Sequence, residues 1–153
     1  MIPTTHFVEQ RERASIVSRR ILSAVDRYCA GDDTMTLVLD IARLTAMIAI
    51  HCAQVDRALR PLLSSDRRND IYRFRQEFGG LVDLSRIFNR RWGTNAAIAA
   101  DPLAFRIDVH QFIYAIEERF DCEERILAIV PTLPTFETDL AEVPMRPPVR
   151  AAS

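Results

Sequence analysis

The stretch Asp101–Val130, DPLAFRIDVHQFIYAIEERFDCEERILAIV, reads as one long helix, and the fold class follows from it. Asp before Pro is a strong helix start. The carboxylate caps a free N–H of the first turn, and Pro takes the first helical position, where its missing N–H is no loss. Val109, Phe112, Ile116, Phe120, Glu123, Leu127 and Val130 then recur at steps of three and four, so they share one face. The same period appears three more times. Thr5 to Cys29 carries Phe7, Ala14, Val17, Ile21, Val25 and Tyr28, with Gly31 as its stop. Asp33 or Thr34 to Leu63 carries Leu37, Ile41, Leu44, Ile48, His51, Val55, Leu59 and Leu62. Ser65 or Asp66 to Trp92 carries Ile71, Phe74, Phe78, Leu81, Phe88 and Trp92. Helices of about 25 residues span roughly 37 Å. Four of them joined by short loops predict an all-α fold, an antiparallel four-helix bundle over residues 1–131. Two features disturb the pattern. Gly79-Gly80 lies inside the third helix and suits a kink or a close approach, and Pro61 should kink or end the second.

Five of the eight prolines lie from Pro131 onward, so residues 132–153 read as a Pro-rich tail, extended or disordered. Leu133, Phe136 and Leu140 are its means of strapping onto the bundle. The 153 residues suit one domain, and a chain of this size buries enough surface to fold without a disulfide or metal. A formal net charge of -1 argues against a nucleic-acid binder. All 20 basic residues are Arg, a bias that genome composition produces as readily as physics does. Cys29, Cys52 and Cys122 are too far apart for a CxxC motif and read as reduced thiols. The start MIPTTHFVEQRER lacks a signal peptide's apolar core, and no 18-residue apolar run for a membrane span is read in the chain, so the expectation is a cytoplasmic protein with no membrane contact.

The second and fourth helices repeat weakly at an offset of 68, IAIHCAQVDRALRP from Ile48 against AIEERFDCEERILAIVP from Ala115. His51 aligns with Arg119, Val55 with Glu123, Asp56-Arg57 with Glu124-Arg125 and Leu59 with Leu127. These segments resemble the hemerythrin-like (HHE) pattern, in which a helix carries His and then acids four and five places on. That resemblance implies two irons held by His and carboxylates of all four helices. The chain departs from it at several places. Val55 replaces the first acid of the second helix, and Arg119 stands where the fourth needs His. Phe74 and Phe78 stand where the third needs a His pair, and His6 lies near the chain's start. His51, Glu123 and Glu124 are the metal candidates that remain, too few for a di-iron site.

The same segments also resemble the Rsd/AlgQ anti-sigma proteins, through His51, Asp56 and Arg57 in one helix and Arg119, Phe120, Glu123 and Glu124 in another. This resemblance implies a bacterial, metal-free helical regulator that binds the main sigma factor of RNA polymerase.

A lone His on an apolar stripe is more often a hydrogen-bonded core residue than a ligand, and a carboxylate on such a stripe needs a partner. His51 and Glu123 are therefore expected to pair across the core, or Glu123 to meet an Arg. His110 and Tyr114 fall off the stripe. No nucleophile-base arrangement or phosphate loop is signalled, so no enzyme and no cofactor are expected. Between Ser64 and Trp92 there are seven Arg against four acids, and between Asp101 and Leu127 seven acids against three Arg. The two segments attract each other across the surface, or Arg73, Arg86, Arg90 and Arg91 form a face that docks an acidic partner helix. The expected function is a non-enzymatic, protein-binding regulator of anti-sigma or adaptor type. Its partner would be another protein, a sigma factor in the first case, or a second copy in a homodimer. The alternative is a hemerythrin-like di-iron protein that binds or senses oxygen.

The last ten residues contain three prolines and little apolar area, which cannot offset an ordering cost of about 1–2 kcal/mol per residue. Deleting Pro144–Ser153 should leave the melting temperature nearly unchanged by calorimetry. A fall of many degrees would mean that this segment packs as core.

Overall fold

A computed structural model describes residues 4–29 and 31–128. The tail expected over 132–153, its strapping residues, the boundary at 131 and the end of the fourth stripe at Val130 all lie outside the described residues.

The described chain is all-helical. Its elements are α1 (Thr4–Arg27), α2 (Met35–Leu59), α3 (Arg68–Phe78), α4 (Leu81–Trp92), α5 (Asn95–Ala100) and α6 (Pro102–Leu127), with a 3-10 turn at Arg60–Ser64. Asp101 caps α6 as its sequence requires, its Oδ1 accepting from Ala104 N–H at 3.0 Å with Pro102 behind it. Gly31 has a φ of 95°, a left-handed conformation that L side chains rarely adopt, so the turn between α1 and α2 depends on it.

Three boundaries differ from the sequence expectation, each for a local reason. Pro61 lacks the N–H that would continue α2, so the helix ends at Leu59 and the chain tightens into the 3-10 turn. Gly79-Gly80 breaks the expected third helix into α3 and α4 instead of kinking it. The stretch between Trp92 and Asp101, outside the four expected helices, contains the short α5, capped by Thr94, whose hydroxyl accepts from Ala97 N–H at 3.2 Å.

α1 packs on α2 and α6, and α4 packs on the same two helices, so the core lies among these four. It divides into two apolar clusters. The larger gathers Val17, Ile21, Ile41, Leu44, Ile48, Phe88, Trp92, Phe105, Val109, Phe112, Ile116 and Phe120 among others. The smaller holds Phe7, Val55, Leu59, Ile71, Phe74, Ile126 and Leu127. Burial of a large apolar side chain is worth about 1.5–3 kcal/mol, so these clusters supply the main driving force for folding. Between them lies a layer of buried polar side chains.

α2 is more apolar than one buried face requires. Met35–Ser64 contains an 18-residue window of mean hydropathy 1.6, of which 39% is buried inside the protein. By length and composition this segment is apolar enough to cross a membrane, contrary to the expectation that no such run exists.

Candidate functional site

The layer between the clusters is built from α1, α2 and α6. Along α6, Ile116 and Phe120 belong to the larger cluster and Ile126 and Leu127 to the smaller. Arg119 and Glu123 fall between them at i and i+4, on one helix face. Along α2, His51 falls between Ile48 and Val55 in the same way. Along α1 the corresponding residue is Gln10, between Phe7 and Ala14. Equal spacing of the apolar stripes thus brings the polar residues of all three helices to one level.

Glu123 is 0% exposed, Arg119 1% and His51 2%. His51 Nε2 lies 2.5 Å from Glu123 Oε2, and Arg119 Nε–H donates to Glu123 Oε1 at 2.7 Å. Both carboxylate oxygens are therefore satisfied. On its other side His51 Nδ1 lies 2.8 Å from Gln10 Oε1. Gln10 Nε2–H donates to Gln54 Oε1 at 2.7 Å, and His6 Nε2 lies 3.0 Å from Gln10 Nε2 and 3.2 Å from Gln54 Oε1. A continuous polar chain runs from half-buried His6 to Arg119. The His51 ring meets Phe7 and Phe120 edge-on, with centroids at 6.0 and 5.3 Å, one from each apolar cluster.

Arg119 makes two further contacts. Its Cζ lies 5.0 Å from the Phe74 ring centroid, where a guanidinium is attracted by the ring's negative face. Its Nη1–H donates to the carbonyl of Phe78 at 2.7 Å. Phe78 is the last residue of α3, so the break at Gly79-Gly80 leaves this carbonyl without the helical N–H that would otherwise occupy it. The third nitrogen, Nη2, is buried without a hydrogen-bond partner among the described residues, 4.0 Å from Asp56 Oδ1. Cys52 lies beside this layer, and burial pushes its thiol up to about 12, so it stays protonated and inert at neutral pH.

The sequence candidates divide clearly. His51 and Glu123 meet as expected. Glu124 is exposed and takes no part in the layer. His6, expected to stand clear of the core, joins the polar chain through Gln10. Gln10, Gln54 and the burial of Arg119 were not anticipated. Gln10 had a signal, since it stands on the stripe of Phe7 and Ala14. His110 and Tyr114 are exposed, His110 lying 3.4 Å from Asp26.

The four Arg proposed as one docking face are not alike. Arg91 turns to α6, bonded to Asp108 at 2.7 Å and lying 4.7 Å over the Trp92 ring. Arg86 and Arg90 share the outward side of α4, Arg86 lying 3.6 Å from Asp83. Arg73 stands exposed on α3.

The iron implied by the hemerythrin-like resemblance does not fit these residues. Among the described residues no three His, Cys, Asp or Glu side chains gather as a ligand set. Glu123 already accepts from His51 and from Arg119, and a guanidinium supplies positive charge where a metal cation would. Comparison with protein-family models, curated proteins and solved structures finds no match to this chain.

Removing one member of a buried ion pair leaves the other uncompensated, at about 3–5 kcal/mol. Glu123→Ala should therefore lower unfolding stability by that order, and His51→Leu by about 1–3 kcal/mol. The triple change His51→Leu, Arg119→Met, Glu123→Leu should be far milder than the sum of the singles. Denaturant titration checks this. Additive, near-neutral single changes would mean that the three side chains do not meet.

Proposed function

We propose that this chain is a metal-free, antiparallel four-helix bundle that binds another protein as a regulator of anti-sigma or adaptor type. Several pairings support the antiparallel arrangement. Arg20 meets Asp40 while the earlier Gln10 meets the later His51. Phe88 stacks on Phe112 while the later Trp92 meets the earlier Phe105. Asp26, near the end of α1, pairs with Arg106 near the start of α6. The third helix of the bundle is then α3 and α4 together, interrupted at the glycines.

The observation that carries the functional reading is Arg119. Its guanidinium supplies the positive charge that the buried Glu123 requires, so that carboxylate needs no bound cation. Among the described residues both ring nitrogens of His51 and both oxygens of Glu123 are already engaged, which directs attention to the outer surface. A cytoplasmic setting is in keeping with the three unpaired cysteines.

Two measurements test this. Elemental analysis after loading with iron(II) should find sub-stoichiometric metal. About one iron per chain, lost on His51→Ala, would overturn the metal-free reading in favour of the hemerythrin-like one. Calorimetric titration with the primary sigma factor of RNA polymerase should show a stoichiometric complex. Absence of heat at about 10 µM, where a micromolar complex would register, would remove the anti-sigma reading.

A further inference from the structure

α2 is apolar on two sides. Its inner side fills the core, while Met35, Leu39 and Ile50 are 53%, 58% and 56% exposed on the other. Ala42, Ala46 and Ala53 are exposed between and beyond them. Positions 35, 39, 42, 46, 50 and 53 follow steps of three and four, so they form a single outer stripe. This stripe accounts for an apolar window of which 39% is buried. Exposed apolar positions arranged as one continuous face mark an interaction surface, whereas scattered ones do not.

The stripe has a basic border. On α1, Arg13, Arg20 and Arg27 recur every seven residues and form one row. Arg20 fixes that row against α2, with Nε–H and Nη2–H each donating to Asp40 at 2.7 Å. On α2 itself Arg43 stands on that same side of the stripe, 3.6 Å from Asp40, and Arg57 lies within the stripe two turns beyond Ile50. Asp40 is 5% exposed and already holds Arg20 and, at 3.6 Å, Arg43, so it presents no negative charge outward. Glu9 is an exposed acid in line with the α1 row, and Asp56, its side chain 47% exposed, lies on the opposite side of the stripe.

We propose that the outer face of α2, with the arginines along its α1 side, docks an amphipathic helix of a partner protein whose apolar seam is bordered on that side by Asp and Glu. This deepens the protein-binding reading and rests on it. Charge complementarity selects the partner, because carboxylates on the flank that faces α1 would meet guanidiniums in bidentate geometry. A second copy of the same face, packed antiparallel, would oppose arginine to arginine. The alanines favour a helix over a lipid surface. They leave a shallow trough between Leu39 and Ile50 in which a ridge of side chains can seat, whereas lipid-bound helices project aromatic and large apolar residues.

The probe is a synthetic peptide of about four heptads with Leu at a and d and Glu at e and g, titrated into the ¹⁵N-labelled full chain. Amide shifts should concentrate on Leu39–Ala53. Arg43→Glu with Arg57→Glu, or Ala46→Arg alone, should weaken binding by about tenfold or more while the melting temperature holds. A Lys-flanked version of the peptide should bind more weakly still. Shifts centred elsewhere, equal affinity for the Lys-flanked peptide, or tighter binding to phosphatidylserine vesicles than to the peptide would each overturn the proposal. A sigma-factor complex untouched by Ala46→Arg would also overturn this surface while leaving the protein-binding reading in place.

Discussion

A carboxylate with no exposed surface must be answered from inside the protein, and Glu123 is such a group. One oxygen takes the Arg119 Nε–H and the other faces His51 Nε2. Each answer creates a further requirement. Arg119 needs a second acceptor and finds the Phe78 carbonyl, which is free because two glycines end α3 there. His51 needs a partner for its other nitrogen and finds Gln10, which in turn needs Gln54. α1, α2, α3 and α6 are tied to one another through these few bonds.

Such a layer adds little net stability. Desolvating a buried ion pair costs about as much as the pairing returns, and an apolar layer of equal volume is often as stable. Its effect is on register. Slipping α2 by one turn against α6 would bring His51 opposite apolar side chains and leave Glu123 facing none of its partners. The apolar clusters on either side tolerate approximate packing, but the polar layer accepts one alignment. Stability therefore comes mainly from Phe, Leu and Ile burial, and uniqueness of the fold from Glu123 and its neighbours.

Helix existence was legible from periodicity alone, because each apolar stripe runs for several turns and three-four spacing has one simple reading. The meeting of His51 and Glu123 was legible too, since both sit on those stripes. Arg119 was harder. It aligns with His51 in the weak repeat, but an Arg beside a core stripe ordinarily reads as a surface residue that covers it. Its burial depends on a carbonyl from a third helix, which no periodicity in α6 reveals. Gly79-Gly80 was visible as a disturbance, yet its consequence, a freed acceptor, appears only once α3 and α6 are packed. The arginine count between Ser64 and Trp92 likewise cannot say which way each side chain points. Arg91 turns along the surface to Asp108 on α6, while Arg86 and Arg90 lie on the outward side of α4.

The most direct measurement is hydrogen exchange at the Arg119 Nε–H, followed by ¹⁵N NMR of the folded protein. A guanidinium held between Glu123, Phe78 and Phe74 gives an Nε–H resonance that exchanges far more slowly than those of exposed arginines and is unmoved by iron(II). Exchange as fast as at the surface, or loss of the resonance when iron(II) is added, would contradict an interior closed by its own cation.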